Sequence, residues 1–246
     1  MTVAFWTVTT AIKGITSLLC KIEGDPLQQV PQHGPLILVC NHINFLEVPL
    51  MFSHLQPRPV TGFAKAETWD NPLLRPLFDL WGAIPLRRGE ADTVAMRRAL
   101  EALQQGKIVA MAPEGTRSGT GQLRRGYPGI VTLALRAGVP LLPLVYYGGE
   151  AFHKNVRRLQ RTDFHIRVGQ VFTLDAHGVK ITREIRQQIT DEIMYQLAAL
   201  LPQAYRGEYA NLEAATRQYL SFQKPQGGDG LAGGEADLSL ADIHRP

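Results

Sequence analysis

The sequence predicts an α/β fold: a mixed sheet flanked by helices, with an apolar helix at the N-terminus. Three observations carry this. Short apolar runs of strand length alternate with longer segments of helical periodicity, the pattern of strands and helices in layers. The 246 residues, 45% hydrophobic and 20% charged, suffice for one sizeable core. No internal repeat or second run of elements divides them.

Taken in order, the first segment, residues 1–22, places Phe5, Val8, Ile12, Ile15 and Leu19 at helical spacing. Lys13 and several threonines keep it short of the roughly 20 apolar residues of a bilayer span. It has neither the basic start nor the cleavage site of a signal peptide. Two readings stand side by side: a helix lying in a bilayer interface with Trp6 at the headgroups, and a helix packed on the core. Residues 24–35 read as a connector. Pro35–Cys40 is a buried strand, and Val48–Leu55 a helix. Val60–Ala64 is a second strand. The spacing predicts a helix over 68–80, with Pro72 in its first turn and Pro76 bending it. Gly82–Leu86 is a strand; Asp92–Gln105 is a helix closed by Gly106; Lys107–Ala112 is a strand. Gly129–Ala137 is a helix capped by Gly138, and Val139–Tyr146 a strand interrupted by two prolines. Phe164–Phe172 alternates as a strand near an edge does. Ile181–Leu200 is a long helix opened by a threonine. From residue 223 to 246 the chain turns to Gly, Asp, Ala and Pro without aromatics and is expected to be a disordered tail.

Charge and composition narrow the chemistry. The formal net charge is +4 and the pI about 9.2, which suits an anionic partner and equally an ordinary surface. The two cysteines, Cys20 and Cys40, form no disulfide or zinc pattern, so a reducing compartment is expected. No HExxH, P-loop or GxGxxG occurs, and the other histidines show no metal-ligand spacing.

Four sites carry possible chemistry. In Asn41–Glu47, NHINFLE, a histidine follows a strand and a carboxylate follows five residues later. Glu47 can accept a hydrogen bond from one ring nitrogen of His42, fixing the tautomer and raising the basicity of the other nitrogen. The nucleophile would then be a substrate hydroxyl. The other reading is a helix-capping histidine and an ordinary first-turn acid. In Met111–Gly126, a strand runs into Pro113, Glu114, Gly115, Thr116 and Arg117. The glycine permits close approach, and Arg117 offers a planar fork of donors to a phosphate. Trp81–Gly89 delivers Arg87 and Arg88 at the end of a short strand, either to the same anion or to solvent. Ala137–Gly149 is an apolar strand that walls an acyl pocket or simply fills the core.

Asn41-His42 with Glu47; Gly82, Ile84 and Arg88; Pro113 to Ser118; and Val139, Pro140 and Pro143 stand in the order of four motifs, NHxxxxD, GxIxxxR, PEGTRS and VPxxPV. On these residues the chain resembles the glycerolipid acyltransferases, specifically the 1-acylglycerol-3-phosphate acyltransferase family. The resemblance implies a glycerol-3-phosphate-acyltransferase-like fold, with the acyltransferase domain at 23–222. It implies transfer of an acyl group from acyl-CoA or acyl-carrier protein to the hydroxyl of lysophosphatidate, giving phosphatidate in phospholipid biosynthesis. His42 would be the base and Glu47 its orienting acid. Arg88, Glu114, Gly115, Thr116 and Arg117 would form the acceptor and phosphate site. No metal or other cofactor and no nucleic-acid partner is implied. The expected setting is the cytoplasmic face of a membrane, peripheral or monotopic. Two departures stand out. Glu47 replaces the family aspartate, and Tyr127-Pro128 occupies the place of a common lysine, leaving Arg124 or Arg125 to supply the charge. Both leave open another acceptor, such as a different lysophospholipid or an amino lipid, or a silent lipid-binding homologue.

Overall fold

Leu36–Cys40 (β2) is buried at every residue and forms the middle of the sheet in the computed structural model, which describes residues 2–22, 25–87, 89 and 92–222. A strand covered on both faces reads as a continuous apolar run. Its neighbours are Ile108–Met111 (β5) and Leu141–Tyr147 (β6), both parallel to it. Val60–Lys65 (β3) and Ile84–Leu86 (β4) extend the parallel set beyond β5. On the other side, Thr162–Val168 (β7) runs antiparallel to β6, and Cys20–Ile22 (β1) pairs with β7. The order is thus β1-β7-β6-β2-β5-β3-β4, with Phe172–Leu174 (β8) pairing β6 and Leu220–Phe222 (β9) pairing β8. The expected mixed α/β sheet is present.

Alternation along the strands divides the core into two. Ile37, Val39, Val109, Leu141 and Val145 face one side, covered by Thr93–Gln104 (α4), Gly129–Ala137 (α5) and Arg183–Leu200 (α7). Leu36, Leu38, Cys40, Ile108, Leu142 and Leu144 face the other, covered by Val3–Leu19 (α1), Glu47–His54 (α2), Arg75–Leu80 (α3) and Phe152–Arg157 (α6). The helix ends follow their capping residues: Thr2, Asp92 and Thr182 each accept a first-turn N–H, and α5 stops at Gly138 with φ 61°.

Several expectations need correction. The stripe on α1 is split: Phe5, Ile12 and Leu19 pack inward, but Val8 and Ile15 point out. Thr9 and Thr16 take the inner positions because their hydroxyls are satisfied there, by Trp81 Nε1 at 3.3 Å and by the Ile12 carbonyl at 2.9 Å. The helix predicted over 68–80 is a 3₁₀ turn at Ala66–Asp70, a bend, and α3. Pro72 holds Asn71 in extended backbone, ψ 114°, and the Asn71 side chain accepts from the N–H groups of Leu73 and Leu74. The single strand over 164–172 is two, parted at Gly169. That glycine's N–H bonds the Pro143 carbonyl at 2.8 Å, and a Cβ there would meet Pro143 Cγ at 2.7 Å. The short β1, α6 and β9 had no periodic signature. The tail at 223–246 lies outside the described residues. Among the described residues no helix is long and apolar enough to cross a membrane.

Opposite the end of the sheet that carries His42, buried Arg58 gathers three loops. Its guanidinium donates to the carbonyls of Pro31 at 3.0 Å, Gly106 at 2.8 Å and Gly34. Charged donors to neutral carbonyls contribute about 1.5–3 kcal/mol each, and lost partners stay desolvated. Arg58→Met is therefore expected to destabilise the chain by ~3 kcal/mol or more. Urea unfolding reads this as a lower midpoint at unchanged slope; a change within about 0.5 kcal/mol would contradict the assignment.

Candidate active site

Parallel strands β2 and β5 are neighbours, with Val39 opposite Met111. The loops that follow them therefore leave the same end of the sheet side by side, where ligands of open α/β sheets collect. The β2 loop carries Asn41 to Leu46, and the β5 loop carries Pro113 to Ser118. Ser118 N–H donates to the His42 carbonyl at 2.8 Å, and Gly119 N–H to that of Ile43 at 3.1 Å.

Glu114 binds the two loops more tightly. It is buried, and its carboxylate accepts from His42 N–H at 2.8 Å and Arg124 N–H at 3.0 Å. Burial pushes its carboxyl up to about 7, against the opposing pull of those two N–H groups and of Arg124. On the other side, the Asn41 amide makes a reciprocal pair with the Tyr146 backbone, at 2.9 and 2.8 Å, fixing the end of β2 to β6. Asn44 donates to the Gly149 carbonyl at 2.7 Å and accepts from Leu46 N–H at 2.8 Å.

Within this frame, His42 Nδ1 lies 3.2 Å from Glu47 Oε2. Glu47 is buried and also receives Asn44 N–H at 3.1 and 3.2 Å. A carboxylate only accepts, so the tautomer of the neutral ring that this contact favours has its proton on Nδ1 and its lone pair on Nε2. The two readings of this acid coexist: it sits in the first turn of α2 and also holds the imidazole. The histidine side chain retains 15% of its exposure, so the ring is sheltered but reachable.

Gly115 closes a turn from Ala112, with its N–H 3.1 Å from that carbonyl and φ 66°, a conformation that favours glycine. It lies under the Tyr127 ring. Thr116 is half-buried. Arg117 is exposed, and among the described residues no side-chain hydrogen bond or ion pair holds it. A polar cleft of about 380 Å³ beside this loop is lined by Ser118, Thr120, Arg124, Arg125 and Tyr127. A larger one, about 960 Å³, lies behind it against α7. Neither is lined by His42 or Glu47. The structure thus brings His42, Glu47, Glu114, Gly115, Thr116 and Arg117 to one end of the sheet. Arg88 lies outside the described residues; β4, which precedes it, ends at the same side of the sheet. Cys40 is no nucleophile: burial, then the nearby Glu47 and Glu114, push its thiol well up.

Local patterns did not reveal the positioning roles of Asn44 and Tyr146. The asparagine within NHIN was the one available signal. The hold on Gly126 was also hidden: its N–H bonds Tyr209 Oη at 3.0 Å, and that hydroxyl donates to Asp191 at 2.9 Å.

The family model described as Acyltransferase matches residues 21–147. Over 158 residues the chain is 27% identical to the chloroplastic 1-acyl-sn-glycerol-3-phosphate acyltransferase LPAT1 of Arabidopsis thaliana, covering 59% of this chain and 44% of that one. It is 32% identical over 125 residues to the lyso-ornithine lipid O-acyltransferase of Pseudomonas aeruginosa, 50% of this chain and 45% of that one. The crystal structure of the 1-acyl-sn-glycerophosphate (LPA) acyltransferase of Thermotoga maritima has the same fold, with TM-score 0.60 and 20% identity over 80% of this chain and 78% of that one. With its sheet, its paired loops and this match, the chain belongs to the acyltransferase family. It spans 38–45% of the length of the first curated relatives it matches.

Glu114 makes the site sensitive to pH. Its folded value lies above the ordinary 4.5, so the folded chain holds the proton more tightly than the unfolded one. Stability is expected to fall as pH rises from about 4.5 to about 7, by ~3 kcal/mol at most. In Glu114→Gln that part of the slope disappears. Urea midpoints of both proteins across pH 4.5–7.5 measure the difference; parallel profiles would contradict it.

Proposed function

We propose that the chain transfers a fatty acyl group from acyl-CoA or acyl-carrier protein to the hydroxyl of lysophosphatidate, giving phosphatidate. The observation that carries this is the His42–Glu47 contact at 3.2 Å, beside an arginine loop hydrogen-bonded to the histidine's own backbone. Nε2 of His42 removes the proton of the acceptor hydroxyl as its oxygen attacks the thioester carbonyl. Glu47 keeps Nδ1 protonated and stabilises the imidazolium. The tetrahedral intermediate expels the thiolate, which takes the proton back from Nε2. The acyl group passes directly between substrates, without an acyl-enzyme. Arg117, with Arg88 as a second cation, binds the acceptor phosphate through forked donors. Glu114 shapes the site through the two loops it joins, and Gly115 and Thr116 line the approach. The reading includes a peripheral or monotopic position on a membrane surface, where the lysolipid acceptor partitions.

A second acceptor class has one observation in its favour: the relative 32% identical over half of this chain is named for a lyso-ornithine lipid. An acceptor panel of lysophosphatidate and lyso-ornithine lipid, with a labelled acyl thioester, separates the two. On the preferred acceptor, His42→Ala is expected to lower turnover by ~10³-fold or more with the fold intact. Glu47→Asp withdraws the carboxylate by one methylene from both Nδ1 and Asn44 N–H, and an ångström of misplacement is worth on the order of 100-fold. Turnover of Glu47→Asp equal to wild type would show that this contact does not govern the rate.

A further inference from the structure

Leu159 is the least explained residue on the surface. It follows the last turn of α6 with φ 53°, the left-handed position that normally ends a helix on glycine. It is the one non-glycine residue with positive φ among the described residues. Its side chain is 97% exposed, so packing does not repay the backbone strain. Around it stand the exposed cations Lys154, Arg157 and Arg158. Arg161 donates to the carbonyls of Ser17 at 2.7 Å and Cys20 at 2.8 Å, tying the turn to the end of α1. There Leu18 is 72% exposed and Ile15 56%.

This patch lies at the same end of the sheet as the candidate active site. β7 runs antiparallel to β6, so the turn before it lies at the end of the sheet where β2 and β6 run out. Phe45, in the loop between His42 and Glu47, is itself 40% exposed and packs on Phe152 and His153 of α6, ring centroids 5.6 Å apart in each case. Exposed apolar tips within a ring of cations match an anionic bilayer: leucines enter the acyl boundary while arginines meet the headgroups.

We infer that the Leu159 turn, flanked by Arg157 and Arg158 and tied to α1, is a bilayer-insertion element that holds the catalytic end of the sheet against an anionic membrane. It rests on the membrane-surface part of the reading above and is independent of the chemistry.

The full chain is tested by flotation with phosphatidylcholine vesicles, with and without phosphatidylglycerol. Wild type is expected to float with the anionic vesicles. Leu159→Asn should weaken partitioning about tenfold or more, while Tm holds or rises, because asparagine tolerates the left-handed backbone. A structural leucine would instead lower Tm. Arg157→Gln/Arg158→Gln should weaken binding to anionic vesicles on the order of 30-fold. If wild type floats and Leu159→Asn floats equally, this element is overturned and membrane association stands. Dependence on the arginines alone also overturns insertion, in favour of charge attraction or an acidic protein partner. If wild type does not float, the membrane reading itself fails.

Discussion

The site depends on one buried carboxylate. Glu114 receives the backbone N–H of His42 on one oxygen and that of Arg124 on the other, so this side chain joins the loop after β2 to the loop after β5 beside the backbone bonds from Ser118 and Gly119. Without such a tie, two irregular loops at the open end of a sheet would drift by more than proton transfer tolerates. The arrangement has an electrostatic consequence. Glu114 sits in an environment that favours its neutral form, while Glu47, in the same region, carries the orienting contact to the imidazole. Two acids thus serve different ends: one positions backbone, the other positions a ring.

Glu47 carries two contacts at once. Its carboxylate takes Asn44 N–H as well as His42 Nδ1, so it satisfies a backbone donor before the helix begins while it holds the ring. Asn41 and Asn44 anchor both ends of this short loop to β6 and the segment after it. The guanidinium of Arg117 is exposed and has no such support among the described residues.

Much of this was legible in the sequence. Full burial of Leu36–Cys40 and the helix at Gly129–Ala137 follow from local pattern, while the contact of His42 with Glu47 was one of two readings that their spacing left open. What was hidden is non-local or too short to be periodic. His42 and Glu114 are 72 residues apart, and only the adjacency of parallel β2 and β5 brings them together. The three residues of β1 and of β9 carry no readable alternation. On α1, the apolar stripe misled because Thr9 and Thr16 are satisfied by neighbouring donors and acceptors and so take inner positions. At Asn71-Pro72, the proline's restriction on its predecessor was written in the sequence and outweighed by apolar spacing.

The proposed chemistry stands most directly on the coupling between His42 and Glu47. Single-turnover transfer of a labelled acyl group to lysophosphatidate, measured in wild type, His42→Ala, Glu47→Gln and the double variant, isolates it. If Glu47 acts only through the imidazole, the double variant is no slower than His42→Ala alone. Losses that multiply, or a wild type that transfers no acyl group, would contradict the account.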